Sequence, residues 1–174
     1  CIALNEGTLH WLETTPSIKY VVMGSRFLQY VEPGAVLLLP DGSNVSGPEV
    51  SSLYLSDTLA RVKSLGKVPV VFAPPPQANR DLGRCLLKVV ELELSPELCD
   101  MGIAEAKALG KTVHASLLDG ISTSTPIISL DAGLCNADRC KARIGDTVIY
   151  RDKGHLSKEG SAYLGKKLDF YGQI

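Results

Sequence analysis

Ile18-Lys19-Tyr20-Val21-Val22-Met23-Gly24 is the stretch on which the fold turns. It is rich in β-branched and aromatic residues, too short for a helix, and closed by a glycine. A continuous run of this kind suits a strand buried on both faces of a parallel sheet. Val68-Pro69-Val70-Val71-Phe72-Ala73 repeats the pattern and is stopped by Pro74-Pro75-Pro76. The early proline is tolerable because the first residues of a strand can do without a donor. Pro126-Ile127-Ile128-Ser129-Leu130 predicts a third strand, and Thr147-Val148-Ile149-Tyr150 a short extended piece.

The segments between these runs read mainly as helices. Residues 2–13 place Ile2, Leu9 and Leu12 on one face, and Thr14-Thr15-Pro16-Ser17 ends the pattern. Residues 50–65 carry Val50, Leu53, Leu55, Leu59, Val62 and Leu65 at helical spacing, with Gly66 as C-cap. Ser95-Pro96-Glu97 supplies an N-cap, a proline at the first helical position and an acidic first turn. That predicts a helix to about residue 118, weakened at Gly102 and Gly110. Ser157 caps a final helix to about residue 170. Residues 27–30 and 35–39 flank Glu32-Pro33-Gly34 as a small hairpin, and Pro40-Asp41-Gly42-Ser43-Asn44 is a turn or loop. Strands alternating with helices predict the α/β class: a three-layer α/β/α sandwich on a mainly parallel sheet. Ligands then bind beyond the C-terminal ends of the strands. Gly24 to Arg26, Pro74 to Pro76 and the loop from Asp152 to His155 all fall there.

The 174 residues fit one domain, residues 1–174, with a core that needs no staple. A net charge of −1 gives no electrostatic footprint for nucleic acid or an anionic membrane. No apolar run reaches the roughly 18 residues that span a bilayer. The chain begins at Cys1 with no signal peptide ahead of it, which reads as a processed form or a fragment; a mature lipoprotein also begins with cysteine.

Five cysteines are present: Cys1, Cys85, Cys99, Cys135 and Cys140. Cys135 and Cys140 lie in a polar stretch with four residues between them. A zinc site needs about four ligands, and no second pair of similar spacing lies nearby. A disulfide is the preferred reading over free thiols, and it favours an oxidising compartment. Cys85 and Cys99 either pair or serve as small buried hydrophobes. If they pair, Cys1 is left odd.

Asp152 and His155 are the residues with catalytic potential. Three positions apart in a loop entering a helix, a carboxylate and an imidazole can lie on the same side. A carboxylate that orients a histidine, which in turn deprotonates a serine, is the logic of triad hydrolases. Spacing alone does not separate this from a turn-capping aspartate beside a solvated histidine. His10 and His114 have no partner at metal-ligand spacing, and no cofactor or metal is expected.

The flanking pattern Tyr150-Arg151-Asp152-x-x-His155-Leu156-Ser157-x-x-Gly160 resembles the last sequence block of SGNH hydrolases. It is most similar to the SGNH domain fused to the C-terminus of membrane acyltransferases of the acyltransferase-three family, which O-acylate bacterial surface carbohydrates. Cys135 and Cys140, the strand and proline loop of Gly66 to Pro76, and Val21-Val22-Met23-Gly24-Ser25-Arg26-Phe27 extend the resemblance over most of the chain. It implies Asp152 and His155 as triad members, an acyl donor, a carbohydrate acceptor, and a fused or associated membrane acyltransferase. It also implies a place at the extracytoplasmic, periplasmic face of a bacterial membrane. The alternative is a non-catalytic module of the same fold that binds polysaccharide or a partner.

Two departures stand out. The family's serine lies in a Gly-Asp-Ser block after the first strand. Here the one Gly-Asp pair, Gly145-Asp146, is followed by Thr147. The nucleophile is therefore expected upstream of the chain, which makes the chain an N-terminally truncated domain, inactive by itself. Hydrolytic members also carry Gly-x-Asn after the second strand, where Gly24 and Arg26 stand here. Gly24 can offer its N–H to an oxyanion. Arg26 is either a charged donor, a sugar contact or an ordinary surface arginine. Ser25 follows a strand but lacks the Gly-x-Ser-x-Gly setting of a nucleophile elbow.

Overall fold

The structure, a computed structural model, describes residues 2–25, 27–32, 34–121 and 123–173. The side chains of Leu109, Thr112, Ser116 and Tyr171 are also left out of the description. The chain divides into two compact units, one of Cys1–Phe72 with Thr112–Ile127 and one of Ala73–Lys111 with Ile128–Ile174.

The first unit holds helix α1 (Ile2–Thr14), strands β1 (Tyr20–Gly24), β2 (Val36–Leu38) and β3 (Asn44–Ser46), helix α2 (Pro48–Ser64) and strand β4 (Val68–Phe72). β1 and β4 run parallel, with Tyr20 opposite Val68 and Gly24 opposite Phe72. Helix α2 starts on Pro48 and stops where Gly66 takes φ +72°, letting Lys67 N–H reach the Val62 carbonyl. Leu59, Val62, Val70 and Val71 are buried, each contributing roughly 1.5–3 kcal/mol by leaving water. Lys67 is buried too, and its Nζ donates to the Thr15 carbonyl at 2.9 Å, just past the end of α1.

The second unit holds helix α3 (Leu82–Glu91), a 3₁₀ turn at Pro96–Cys99, strand β5 (Met101–Gly102), most of helix α4 (Ile103–Val113), and strand β6 (Ile127–Ile128), which straddles the boundary. Helix α5 (Asp131–Leu134), strands β7 (Arg139–Cys140), β8 (Arg143–Ile144) and β9 (Thr147–Val148), and helix α6 (Lys158–Lys167) complete it. The parallel sheet has the order β1-β4-β6. This is the α/β class that the alternation of elements predicts.

Three local expectations need correction. β1 is not buried on both faces: Val22 is 58% exposed and Tyr20 37%. As an edge strand it has one half-buried face and one open face. Residues 27–30 form a 3₁₀ turn instead of a strand, and β2 pairs with β3. The turn chemistry explains this. Gly42 takes φ +84°, and Asp41 Oδ1 accepts from both the N–H and the hydroxyl of Ser43, so the chain reverses there. The long helix expected from residue 96 to 118 breaks at Asp100-Met101-Gly102. The Asp100 carboxylate accepts from Ala142 N–H and pairs with Lys141 at 3.0 Å, while Met101 and Gly102 pair with Cys140 and Arg139. Tertiary partners outbid helix propensity there. Helix α4 also ends in a π-helical turn at His114–Leu118.

Both disulfides are present. Cys135–Cys140 closes the polar loop, and Cys85–Cys99 ties α3 to the 3₁₀ turn that follows it. Cys1 lies outside the described residues.

Candidate active site

Asp152 and His155 occupy a tight loop between β9 and α6. Several forces close it. Arg151 N–H donates to the His155 carbonyl at 2.9 Å, and Tyr150 bridges Leu156. Ser157 N–H donates to the Ile149 carbonyl at 2.8 Å. The Ser157 hydroxyl caps α6 by accepting from Gly160 N–H at 2.8 Å, and it donates to the Val148 carbonyl at 2.5 Å. Tyr150 and Ile149 beneath the loop are fully buried.

Within the loop, Asp152 Oδ1 accepts from the backbone N–H groups of Gly154 (3.1 Å) and His155 (2.8 Å). The carboxylate also holds the imidazole: His155 Nδ1 lies 2.8 Å from Oδ2 and 3.0 Å from Oδ1. An ionised carboxylate only accepts, so Nδ1 carries the proton and Nε2 presents its lone pair. Among the described residues, no group hydrogen-bonds Nε2. Partial burial raises the Asp152 carboxyl, but the two N–H donors and the hydrogen bond and charge of His155 outweigh it and hold the group at about 2. Asp152 is thus ionised across the neutral range. Arg151 Nε, 3.6 Å from Oδ2, adds a positive neighbour.

This arrangement can take a proton from a hydroxyl at Nε2 and stabilise the resulting imidazolium against Asp152. Neither group is sealed from water, since the His155 side chain is 55% exposed.

The other expected site residues stand in the first unit. Gly24 ends β1, and with Ser25, Tyr30, Ser51, Tyr54 and Met23 it lines a cavity of about 310 Å³. The Ser25 hydroxyl donates to Tyr30 Oη at 3.3 Å. Arg26 lies outside the described residues. His10 is exposed and 3.6 Å from Glu13, and His114 is exposed. No cluster of three metal-ligating side chains occurs among the described residues, and no described helix is long and apolar enough to cross a membrane.

Sequence reading passed over the segment before α3. Ala78 N–H donates to the Lys153 carbonyl at 2.8 Å, and Leu82 N–H to the Asp152 carbonyl at 3.4 Å. Gly83 and Gly154 sit where the two segments press together. The signal was available: Asp81 as N-cap ahead of Leu82, Leu86 and Val89 at helical spacing.

A family model described as an SGNH domain fused to AT3 domains matches residues 1–170. Among solved structures, the chain is similar to the periplasmic domain of the lipopolysaccharide acetyltransferase of Salmonella ser. Paratyphi A, with a TM-score of 0.66 at 18% identity. That match covers 98% of this chain and 62% of the other, so the chain spans under two thirds of its neighbour's length. At this identity the likeness is one of fold. The OSK domain of Drosophila Oskar matches with a TM-score of 0.44 at 9% identity, over 98% of this chain and 70% of that one, too distant to bear on function. No curated protein matches the chain in sequence. With nearly its whole length matched by the model, the chain belongs to the family of SGNH domains fused to AT3 domains.

Proposed function

We propose that residues 1–174 are the C-terminal part of a single serine-dependent acyl-transfer domain acting on O-acyl groups of bacterial cell-surface carbohydrate. Asp152 and His155 are its acid–base pair, and acetyl is the acyl group. The observation that supports this reading most is the grip of the Asp152 carboxylate on His155 Nδ1, with no hydrogen-bond partner on Nε2 among the described residues.

The serine comes from a Gly-Asp-Ser block outside the 174 residues, which contain no such block. Nε2 takes the serine proton as Oγ attacks the acyl carbon, then returns it to the departing oxygen, leaving an acyl-serine. In the second half, Nε2 deprotonates the acceptor, a sugar hydroxyl or water, and returns the proton to the serine as the acyl group leaves. Each positioned proton transfer is worth about 10²–10⁴ in rate. Gly24 contributes its backbone N–H to the oxyanion and Arg26 a charged contact to it or to the sugar. The family description and the fold likeness to a periplasmic acetyltransferase domain support a place on the periplasmic side of a membrane acyltransferase of the AT3 type.

The test is turnover of a chromogenic acetyl ester by a longer chain that includes the nucleophile block, beside its His155→Ala variant. The reading expects turnover in the parent and at least a 10³-fold loss in the variant. Equal rates would remove His155 from the chemistry. No turnover in a chain that retains the block would favour a binding module of the same fold.

A further inference from the structure

Gly83 stands in the first turn of α3. Glycine is among the poorest helix formers, and here its backbone freedom is not in use, because its φ is not positive. Space explains it better. A Cβ at this position would lie 2.2 Å from the Arg151 carbonyl oxygen and 2.9 Å from its carbon. Both are backbone atoms, so no side chain can swing aside to make room.

The contact belongs to a longer grip. The Arg151 carbonyl rests on Gly83, the next carbonyl, of Asp152, accepts from Leu82 N–H, and the one after, of Lys153, accepts from Ala78 N–H. Three consecutive peptide units of the loop are held by residues 78–83. The gripping segment is itself fixed: Asp81 caps α3 by accepting from Arg84 N–H, Leu82 is fully buried, and the Cys85–Cys99 disulfide pins the following turn. On the far side of the loop, Gly160 meets Ile149 in the same way, its Cβ position lying next to the Ile149 carbonyl.

We infer that Gly83 is a positioning residue for the Asp152–His155 pair, the bare patch of backbone on which the Arg151 peptide is seated. The inference rests on the proposed role of that pair. The Arg151 peptide leads directly into Asp152. Moving it by about 1 Å takes the carboxylate out of the 2.7–3.2 Å window on His155 Nδ1 and on the two N–H donors. Residues far from the reacting atoms can affect catalysis through displacements of this size.

The 174-residue chain can be tested directly by NMR, with no turnover needed. One readout is the strongly deshielded Nδ1–H resonance of His155 on a carboxylate. The other is the titration midpoint of the Asp152 carboxyl carbon, whose charged neighbours are His155 and Arg151. In the parent chain the midpoint is expected at about 2. Gly83→Ala is expected to lose the resonance and move the midpoint up toward the ordinary value of about 3.9. Gly102→Ala, where a Cβ meets nothing within 4 Å, keeps both. Asp81→Ala loosens the same turn without adding bulk and raises the midpoint by a smaller step, which covers the case in which Gly83→Ala does not fold. An unchanged resonance and midpoint in a folded Gly83→Ala, or an unchanged midpoint in Asp81→Ala, overturns the inference. His155→Ala separates the two levels: if it leaves the Asp152 midpoint at its parent value, the pairing itself fails, and not only the seat.

Discussion

Replacing Ser157 by alanine removes two hydrogen bonds made by one hydroxyl. The first is the cap on α6, accepted from Gly160 N–H at 2.8 Å. N-cap serine to alanine costs about 1 kcal/mol, within a range of roughly 0.5–2. The second is the bond donated to the Val148 carbonyl, which ties the start of α6 to the end of β9. Its net worth is about 1 kcal/mol. Ser157 is half-buried, so water replaces neither partner fully. The expected loss is about 2 kcal/mol, which for a chain of this length lowers Tm by about 4–8 °C. In urea, with a slope of about 2 kcal/mol/M, the midpoint falls by about 1 M. Two further variants separate the bonds. Ser157→Thr keeps both and stays within about 0.5 kcal/mol of the parent. Ser157→Asp restores the acceptor but cannot donate when ionised, and recovers about 1 kcal/mol. A loss below about 0.5 kcal/mol in Ser157→Ala would refute the reasoning, because it would mean that neither bond matters to folding.

Acid should weaken the fold through Asp152. Its carboxyl is held at about 2 in the folded chain, below its unfolded value of about 3.9. The stabilisation is therefore present above about pH 4 and disappears as the pH falls through about 2. Urea midpoints measured from pH 5 to pH 2 should fall more steeply in the parent than in Asp152→Asn, and parallel slopes would count against the pairing. The two disulfides should differ in worth. Cys85–Cys99 spans a separation of 14 residues and contributes about 3 kcal/mol through loop entropy. Cys135–Cys140 spans 5 and contributes about 2 kcal/mol. The paired serine replacement at 85 and 99 is expected to lower the urea midpoint more than that at 135 and 140, and the reverse order would refute the entropic ranking.

Features carried by local chemistry were legible in the sequence. Gly66 ends α2, Ser157 starts α6, and the alternation of apolar runs with helical spacing predicts the parallel α/β sheet. The closeness of Asp152 to His155 was legible for the same reason, since the hydrogen bonds that join them lie within one short loop. What escaped depends on residues distant in sequence. The break at Asp100 is made by Lys141 and Ala142. The exposure of Val22 follows from the position of β1 at the sheet edge, which no single strand reveals. Gly83 reads as an unremarkable glycine until the Arg151 carbonyl is placed against it.

Acetyl-ester turnover by a longer chain that carries the nucleophile block, compared with its Asp152→Asn variant, is the most direct test of the central claim. Asparagine keeps the shape at 152 but can offer an N–H where His155 Nδ1 needs an acceptor, so the imidazole can be held in the wrong tautomer. The account predicts a fall in kcat of about 10⁴ with the fold intact. An Asp152→Asn variant that turns over as fast as its parent would contradict it.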